Sequence, residues 1–249
     1  MSVGKCQENV FNLSPNAFDD QYIGCEKEME TEMARELEKE LQNNQFKESW
    51  KKANDEWKLK KSAFPSLNDN YGTAVVLYTM EKPHYIYKQL NGNISIAGKS
   101  WKDYMNNFHF KAFHFYLTRA LQVMRTGCTK SQVYRGIDLK TQTPVKVKSP
   151  MRFGQFASSS EIKSEAEKFG KDPFFNIITC YGVNIAGLSF FPNEREVLIP
   201  IGEKFKMKKK DGSIYDLEST GQLCSYFNCA YLKSKDLRYG QHIVTGWYP

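Results

Sequence analysis

The sequence predicts an α+β fold, with a mainly helical N-terminal part packed on a C-terminal mixed β-sheet core. Apolar residues recur at intervals of three and four in the first half of the 249-residue chain, a spacing typical of helices. From Cys128 onward, short alternating or β-branched runs are separated by turn residues, which is typical of strands. Because helices come first and strands second, we expect α+β rather than doubly wound α/β. One domain is expected over residues 1–249, helical to about residue 127 and β-rich from about residue 128.

A long first helix is predicted to begin at Ser14-Pro15-Asn16. Asp19 and Asp20 would then lie in its first turn, where the helix dipole favours acids. The apolar stripe of this helix continues as far as Leu41. Similar patterns predict further helical segments over residues 46–57, 72–80, 84–90 and 108–121.

The second half of the chain is predicted to consist of short strands around one helix. The strands are expected over residues 132–136, 151–158, 175–181, 186–191, 196–199, 204–210 and 213–217. The helix is expected near residues 161–170. The lysine-rich run 204–210 is predicted to form a solvated hairpin that turns at Asp211-Gly212.

Charge is distributed unevenly along the chain. The net charge is +7, but residues 1–70 carry ten Lys or Arg against fourteen Asp or Glu, whereas the remainder carries 25 against 14. A basic C-terminal part favours a polyanionic ligand, such as nucleic acid, an acidic membrane surface or a nucleotide phosphate. Because no nucleic-acid motif accompanies the lysines, no nucleic-acid partner is expected. No apolar run approaches the length of a membrane span, which favours a soluble protein.

The six cysteines leave two interpretations open. They are even in number and include no C-x-x-C pair, so zinc ribbons and redox motifs are not indicated. Three long-range disulfides in an oxidising compartment fit this pattern, and so do six unpaired thiols in a cytosolic protein.

Three features of the sequence bear on where the protein is located. No signal peptide follows Met1, so the chain is either intracellular or the mature region of a secreted protein. The glycosylation sequon Asn93-Ile94-Ser95 is compatible with secretion. Residues 246–249 form no hydrophobic tail, so membrane anchoring is expected only through a segment that is not in this chain.

Several common chemistries lack their motifs in this sequence. The glycine signature of a dinucleotide-binding crossover, a phosphate-binding loop and a serine nucleophile in G-x-S-x-G are all missing. The four histidines share no helical or loop spacing, so no metal site is expected. His109 and His114 are instead expected to be packed and hydrogen-bonded within a buried helix.

Three features of the second half stand out for chemistry. They are Val133-Tyr134-Arg135-Gly136, then Phe156-Ala157-Ser158-Ser159-Ser160, then a run that begins at Phe191 and contains Glu194 and Glu196. If that last run is extended, alternation places the two carboxylates on the same face. Alone, such a pair could equally be the charged edge of a sheet.

Together, and in this order, the three features resemble the vertebrate ecto-ADP-ribosyltransferases. That family carries an arginine on one strand, a serine at an F-x-S-x-S strand start, and E-x-E before a later strand. The resemblance extends from about Pro15 to Cys229 and does not cover the tail from Leu232. It implies a mono-ADP-ribosyltransferase that is secreted or exposed at the cell surface. NAD+ would be its substrate rather than a recycled cofactor, and arginine in proteins or small molecules would be the acceptor.

The resemblance implies a role for each of four residues. Arg135 would bind the phosphate and ribose oxygens of NAD+ with its guanidinium. Ser158 would hydrogen-bond the nicotinamide ribose and position Glu196. Glu196 would stabilise the positive charge that develops on the ribose as nicotinamide leaves. Glu194 would orient the acceptor arginine and take its proton.

Further contacts follow from the same resemblance. Gly136, Tyr78 and Ser189 would line the NAD+ pocket. Cys25 would pair with Cys229 and Cys128 with Cys180. Cys6 with Cys224 would remain as a third bridge.

Three other functions stay open as alternatives. In an NAD+ glycohydrolase, water would replace arginine. In the family, glutamine at the position of Glu194 goes with hydrolysis, whereas glutamate goes with transfer to arginine. A catalytically inactive binding member would keep the fold alone, and a basic nucleic-acid binder would use the charge of the C-terminal part.

Overall fold

The N-terminal half of the structure, a computed structural model, consists mainly of helices. Residues 3–6, 13–138 and 150–232 are described. After a short strand, β1 (Gly4–Lys5), the helices are α1 (Glu26–Glu40), α2 (Asn44–Lys60), α3 (Asp69–Thr79), α4 (Ile86–Ala97), α5 (Trp101–Asn107) and α6 (Lys111–Met124). None of the described helices is long and apolar enough to cross a lipid bilayer.

The C-terminal half supplies the other strands of a mixed sheet. They are β2 (Ser131–Gly136), β3 (Ala157–Ser160), β4 (Phe174–Thr179), β5 (Val183–Asn184), β6 (Glu196–Ile199), β7 (Glu203–Asp211) and β8 (Ile214–Ser225), and a short helix, α7 (Lys163–Glu167), follows β3. The strand order is β1-β8-β4-β2-β3-β6-β5, with β7 also paired to β8. β8 runs parallel to β1 and β4, whereas the pairs β2–β3, β2–β4, β3–β6 and β7–β8 are antiparallel. The predicted α+β class is therefore confirmed.

Side-chain oxygens define where several helices begin. Asn43 accepts a hydrogen bond from the backbone N–H of Phe46 at the start of α2, and Asn68 accepts one from Tyr71 at the start of α3. The N-terminus of α6 is capped from a distance, because the Glu40 carboxylate accepts from the N–H groups of the second and third residues of that helix. Capping of this kind satisfies backbone donors that have no partner inside their own helix.

Helices α3 and α6 form the centre of the helical core. Nine of the eleven residues of α3 and ten of the fourteen residues of α6 are buried, which explains their continuous apolar runs. Gly72 lets α3 approach α2 closely, since a Cβ atom at that position would lie 2.3 Å from the ring of Trp57. A second apolar cluster fills the sheet around Val133, Phe175 and Phe205.

The predicted long first helix is wrong at its start, because α1 begins only at Glu26. Asp19 and Asp20 lie in a buried, non-helical segment and bind the chain near its C-terminal end. Asp19 accepts hydrogen bonds from the N–H groups of Tyr226 and Phe227, and Asp20 accepts from Cys229 and Ala230. Their carboxylates accept hydrogen bonds from buried backbone donors and do not interact with a helix dipole.

A buried ion pair joins this segment to the sheet. The Arg152 guanidinium lies 2.6 Å from the Asp19 carboxylate, and both side chains are fully buried. Arg152 also donates to the carbonyl oxygens of Leu13 and Cys224. One side chain therefore links the N-terminal segment, the sheet and the end of β8.

Three disulfides add covalent links between distant parts of the chain. They join Cys6 to Cys224, Cys25 to Cys229 and Cys128 to Cys180. Cys25–Cys229 and Cys128–Cys180 are the pairs that the resemblance implied, and Cys6–Cys224 is the pair that remained. The first two close the ends of the chain beside the Asp19–Arg152 pair, and the third links the segment before β2 to the end of β4.

Two strand predictions are wrong. Within the predicted strand 151–158, the part before β3 contains only an isolated bridge at Met151, because Gly154 turns the chain with φ +70°. Strand β3 itself starts at Ala157. Residues 186–191 form turns rather than a strand; the N–H groups of Leu188 and Ser189 both donate to the carbonyl of Ile185.

Three further predictions differ from the structure in detail. The predicted β7–β8 hairpin is present, with Gly212 at φ +56°, but β8 extends well past residue 217, to Ser225. Helix α5 was not predicted, and α6 begins at Lys111 rather than at residue 108. His114 is buried and lies 2.7 Å from the Tyr22 hydroxyl, as expected for a packed histidine, but His109 precedes the helix and is exposed.

Replacing Arg152 with methionine should leave the Asp19 carboxylate buried without a counter-charge. We expect Arg152→Met to lower the free energy of unfolding by about 3–5 kcal/mol in denaturant titrations. Lys51→Met, which breaks the exposed Lys51–Asp55 pair, is the matched control and should change stability little. Equal effects of the two substitutions would contradict the linking role of the buried pair.

Candidate active site

A cavity of about 180 Å³ lies where the helical part meets strands β2, β3 and β6. Six of the predicted site residues line it: Tyr78, Arg135, Gly136, Ser158, Glu194 and Glu196. They come from four segments that are far apart in sequence, so the fold is what brings them together. Ser189 is not among the lining residues.

The pairing of β3 with β6 brings Ser158 to Glu196. Ser160 is opposite Glu196 and Ser158 is opposite Leu198 in this antiparallel pair. Since paired and alternate residues share a face, the side chains of Ser158 and Glu196 lie on the same side of the sheet. The Ser158 hydroxyl therefore lies beside the Glu196 carboxyl group and lowers its pKa.

Glu194 reaches the cavity by a turn and not by strand alternation. It ends a short 3₁₀ turn, Pro192–Glu194, and Arg195 adopts a left-handed conformation with φ 46° before β6 starts at Glu196. The predicted strand 196–199 is confirmed, but the run is not extended through Glu194, so alternation does not place the two carboxylates on one face. Two contacts fix this turn: the Ser160 hydroxyl donates to the Glu194 carbonyl oxygen at 2.6 Å, and Arg195 forms an ion pair with Glu161 at 2.7 Å.

The two carboxylates differ in their surroundings. Glu196 is buried, and this burial raises its pKa to about 7, although the Ser158 hydroxyl and the charge of Arg135 act in the opposite direction. Glu194 lies at the half-buried rim of the cavity. Burial also raises the pKa of Glu194, and the charges of Glu81 and Glu165 add to the effect.

Arg135 places a positive charge in the same cavity. Its side chain is buried, and its Nη1 donates a hydrogen bond to the carbonyl oxygen of Ser158. The guanidinium carbon lies 5.9 Å from the centre of the Phe153 ring. Because a guanidinium stays protonated in proteins, the cavity combines a fixed cation with the carboxyl group of Glu196.

Tyr78 and Asn91 line the cavity beside Ser158. The Tyr78 hydroxyl donates to the carbonyl oxygen of Phe156 at 3.2 Å, and Asn91 Nδ2 donates to the Tyr78 hydroxyl at 3.0 Å. Burial raises the pKa of Tyr78 to about 12, so its hydroxyl is a neutral donor at physiological pH. Asn91 was missed by sequence reasoning because it belongs to no motif and is brought to the site only by the packing of α4.

Gly136 and Ser189 have structural roles that the fold makes visible. A Cβ atom on Gly136 would lie 2.1 Å from the carbonyl oxygen of Gly170, so only glycine lets the turn after α7 rest on β2. Ser189 is buried, and its hydroxyl accepts a hydrogen bond from the N–H of Phe191 at 2.9 Å. It thereby holds the loop that leads to Glu194.

Comparison with known proteins identifies relatives over most of the chain. The family model described as "NAD:arginine ADP-ribosyltransferase" matches residues 11–225. Ecto-ADP-ribosyltransferase 5 of Bos taurus is 43% identical over 90% of this chain and 75% of that protein. GPI-linked NAD(P)(+)–arginine ADP-ribosyltransferase 1 of Mus musculus is 36% identical over 94% and 77%, respectively.

Solved structures show the same fold. The crystal structure of the eukaryotic mono-ADP-ribosyltransferase ART2.2 superposes with a TM-score of 0.77 at 36% identity and covers 88% of this chain and 97% of that one. A mutant of ART2.2 crystallised with NADH gives a TM-score of 0.78 at the same identity, with 88% and 98% coverage.

The raised pKa of Glu196 predicts that this residue destabilises the folded protein at alkaline pH. Its folded pKa of about 7 exceeds the ordinary value of 4.5, so between these pH values the unfolded state is ionised while the folded state stays protonated, and stability falls as the pH rises until both states are ionised above about pH 7. We expect the neutral variant Glu196→Gln to be more stable than wild type by about 1–3 kcal/mol at pH 8.5 and to lose this advantage as the pH falls.

Thermal unfolding at pH 5 and pH 8.5 measures this difference. Glu38→Gln, which removes an exposed carboxylate of α1, is the matched control and should show no such pH dependence. A Glu196→Gln variant that is equally destabilised at both pH values would contradict a raised pKa of Glu196 in the folded protein.

Proposed function

The chain belongs to the NAD:arginine ADP-ribosyltransferase family, and we propose that it breaks the nicotinamide–ribose bond of NAD+ and transfers ADP-ribose to arginine side chains. The observation that carries this proposal is the convergence of Arg135, Ser158, Glu194 and Glu196 on one cavity. NADH bound to a mutant of ART2.2 supports NAD+ as the substrate.

Glu196 is the catalytic carboxylate of this proposal. Breaking the bond to nicotinamide leaves positive charge on the ribose, and a buried carboxylate stabilises that charge strongly because little water competes. The transition state resembles that of glycoside hydrolysis. Nicotinamide is already a cationic leaving group in NAD+, so this step requires no general acid.

Arg135 binds the anionic part of the substrate. Its guanidinium presents several donors in a planar arrangement that suits phosphate oxygens. The hydrogen bond to the Ser158 carbonyl holds the Arg135 side chain in place before the substrate arrives. A fixed cation therefore needs little reorganisation on binding.

Ser158 positions the catalytic carboxylate. Its hydroxyl lies beside both Glu196 and Tyr78 and lowers the pKa of each. Tyr78 and Asn91 are anchored in turn on the Phe156 carbonyl oxygen. This chain of contacts aims Glu196 at a fixed point in the cavity, where the ribose would lie.

Glu194 serves the acceptor. An arginine guanidinium is protonated and therefore a poor nucleophile until a base takes its proton. Glu194 lies at the rim, where an acceptor side chain can enter, and burial together with Glu81 raises its pKa toward that of a useful base. Glu194 thus selects arginine over water as the group that captures the ribosyl cation.

An extracellular location fits both the structure and the relatives. Three disulfides persist in oxidising compartments and are rare in the cytosol. The relatives include proteins named ecto-enzymes and one named as GPI-linked. In this proposal the acceptors are arginine residues of secreted or cell-surface proteins, or small arginine compounds, and the GPI-linked relative supports membrane anchoring.

Separate substitution of Glu196 and Glu194 tests the different roles proposed for these two carboxylates. Glu196→Gln should reduce both NAD+ cleavage and transfer to arginine by about 10²–10³-fold, because both reactions pass through the same ribosyl cation. Glu194→Gln should reduce transfer by about 10²-fold and leave NAD+ cleavage measurable. Labelled NAD+, incubated with and without an arginine compound, gives both rates.

Glu38→Gln is the control for these assays and should match wild type. Equal loss of both reactions in Glu194→Gln would show that the roles are divided wrongly. Label that appears only as free ADP-ribose with the wild-type protein would identify a glycohydrolase instead.

The pKa of Glu196 also predicts the pH dependence of NAD+ cleavage. Only the ionised carboxylate stabilises the ribosyl cation, so kcat/KM for NAD+ should fall as the pH decreases through about 7. The cationic nicotinamide ring favours ionisation in the complex, which should move the corresponding limb of kcat to lower pH. A kcat/KM that stays constant from pH 8 to pH 5 would contradict this role.

A further inference from the structure

Glu81 lines the cavity, and so far it has entered only through the effect of its charge on the pKa of Glu194. It follows α3 by two residues, and its side chain is half-buried. Glu81 lies in none of the motifs that carry the family resemblance, and it is not one of the predicted site residues. It nevertheless lines the same cavity as Glu194.

Backbone contacts hold Glu81 near the loop that carries Glu194. The hydroxyl of Thr79, the last residue of α3, accepts a hydrogen bond from the N–H of Phe190 at 3.1 Å. The carbonyl oxygen of Glu81 accepts from the N–H of Tyr85 at 2.7 Å, which fixes the turn after the helix. The end of α3 and the loop before Glu194 are therefore joined, so that both carboxylates face the same opening.

Two carboxylates at this opening are in a position to bind a cation. Among the described residues, neither Glu81 nor Glu194 has an ion-pair partner, whereas the neighbouring basic side chains of Arg195 and Lys168 are paired with Glu161 and Glu165. Lys88, which also lines the cavity, has its ammonium group 4.7 Å from the centre of the Tyr85 ring.

Glu81 and Glu194 line the same cavity. After burial, the charge of Glu81 is the largest cause that raises the pKa of Glu194, ahead of Glu165 and against Lys168. Two like charges facing one opening repel each other in the free protein. A cation that contacts both would relieve this repulsion.

A guanidinium has the right chemistry for such a pair. It carries five N–H donors in a rigid plane and remains charged, so different edges of one group can donate to two carboxylates. Resting on the proposed function, we propose that Glu81 is a specificity-determining residue that binds the acceptor guanidinium together with Glu194. Glu194 then takes the proton, while Glu81 holds the acceptor in place and favours cationic side chains over water.

The proposal predicts an effect on the acceptor and none on NAD+. With agmatine, a small guanidinium compound, as acceptor, Glu81→Gln should raise KM for agmatine about three- to fivefold, as expected for one partly exposed ion pair. KM for NAD+ and the rate of NAD+ cleavage without acceptor should be unchanged, which also shows that the variant is folded. Glu81→Asp, which keeps the charge, should recover most of the affinity, and Glu38→Gln is the control for loss of a remote carboxylate.

The pH profile gives a second readout. Since the charge of Glu81 raises the pKa of Glu194, its removal should move the acid limb of kcat/KM for agmatine to lower pH even though binding is weaker. An indirect structural effect would not produce that combination.

Three results would overturn the proposal. An unchanged KM for agmatine in Glu81→Gln, with transfer intact, would overturn the role of Glu81 alone. Equal rises in KM for agmatine and NAD+ would show that Glu81 shapes the whole cavity rather than the acceptor subsite. Wild-type protein that cleaves NAD+ but never modifies agmatine would overturn the proposed transferase function itself, whatever Glu81 does.

Discussion

Pairing between the short strands β3 and β6 holds the polar groups of the site in a fixed arrangement. Ser159 and Ser160 donate their hydroxyl hydrogens to the carbonyl oxygens of Val197 and Glu194, in addition to the backbone ladder. The serine-rich sequence of β3 therefore serves two purposes. Ser158 faces the cavity, while its two successors bind the segment that carries both carboxylates. This is why a buried carboxyl group with a raised pKa can be kept at Glu196.

Support for this arrangement comes from the opposite side of the molecule. The long strand β8 pairs with β4 at one end and with β1 at the other, so the sheet depends on both ends of the chain. The buried carboxylates of Asp19 and Asp20 hold the segment after β8, and Arg152 links that network to the residues that lead into β3. Burial of these charges is costly unless every polar group finds a partner, which here includes four backbone N–H groups after β8.

The sequence was informative where chemistry depends on short motifs and uninformative where it depends on packing. Arg135, Ser158, Glu194 and Glu196 lie in strand-like motifs and meet in one cavity, as their order suggested. Asp19 and Asp20 looked like helix-start acids because local pattern cannot distinguish a dipole contact from a buried network formed with residues about 200 positions away. Glu81 and Asn91 are ordinary helix-flanking or helical polar residues in sequence, and only the packing of α3 and α4 brings them to the cavity. The turn that separates Glu194 from Glu196 depends on the left-handed conformation of Arg195, for which alternation gives no signal.

In the proposed function, two carboxylates aimed into one cavity direct ADP-ribose to arginine. Mass spectrometry of a mixture of cell-surface proteins, after incubation with the protein and NAD+, identifies the type of residue that is modified. We expect ADP-ribose on arginine side chains. Modification confined to other residue types, or conversion of NAD+ to free ADP-ribose without any modified protein, would contradict this expectation.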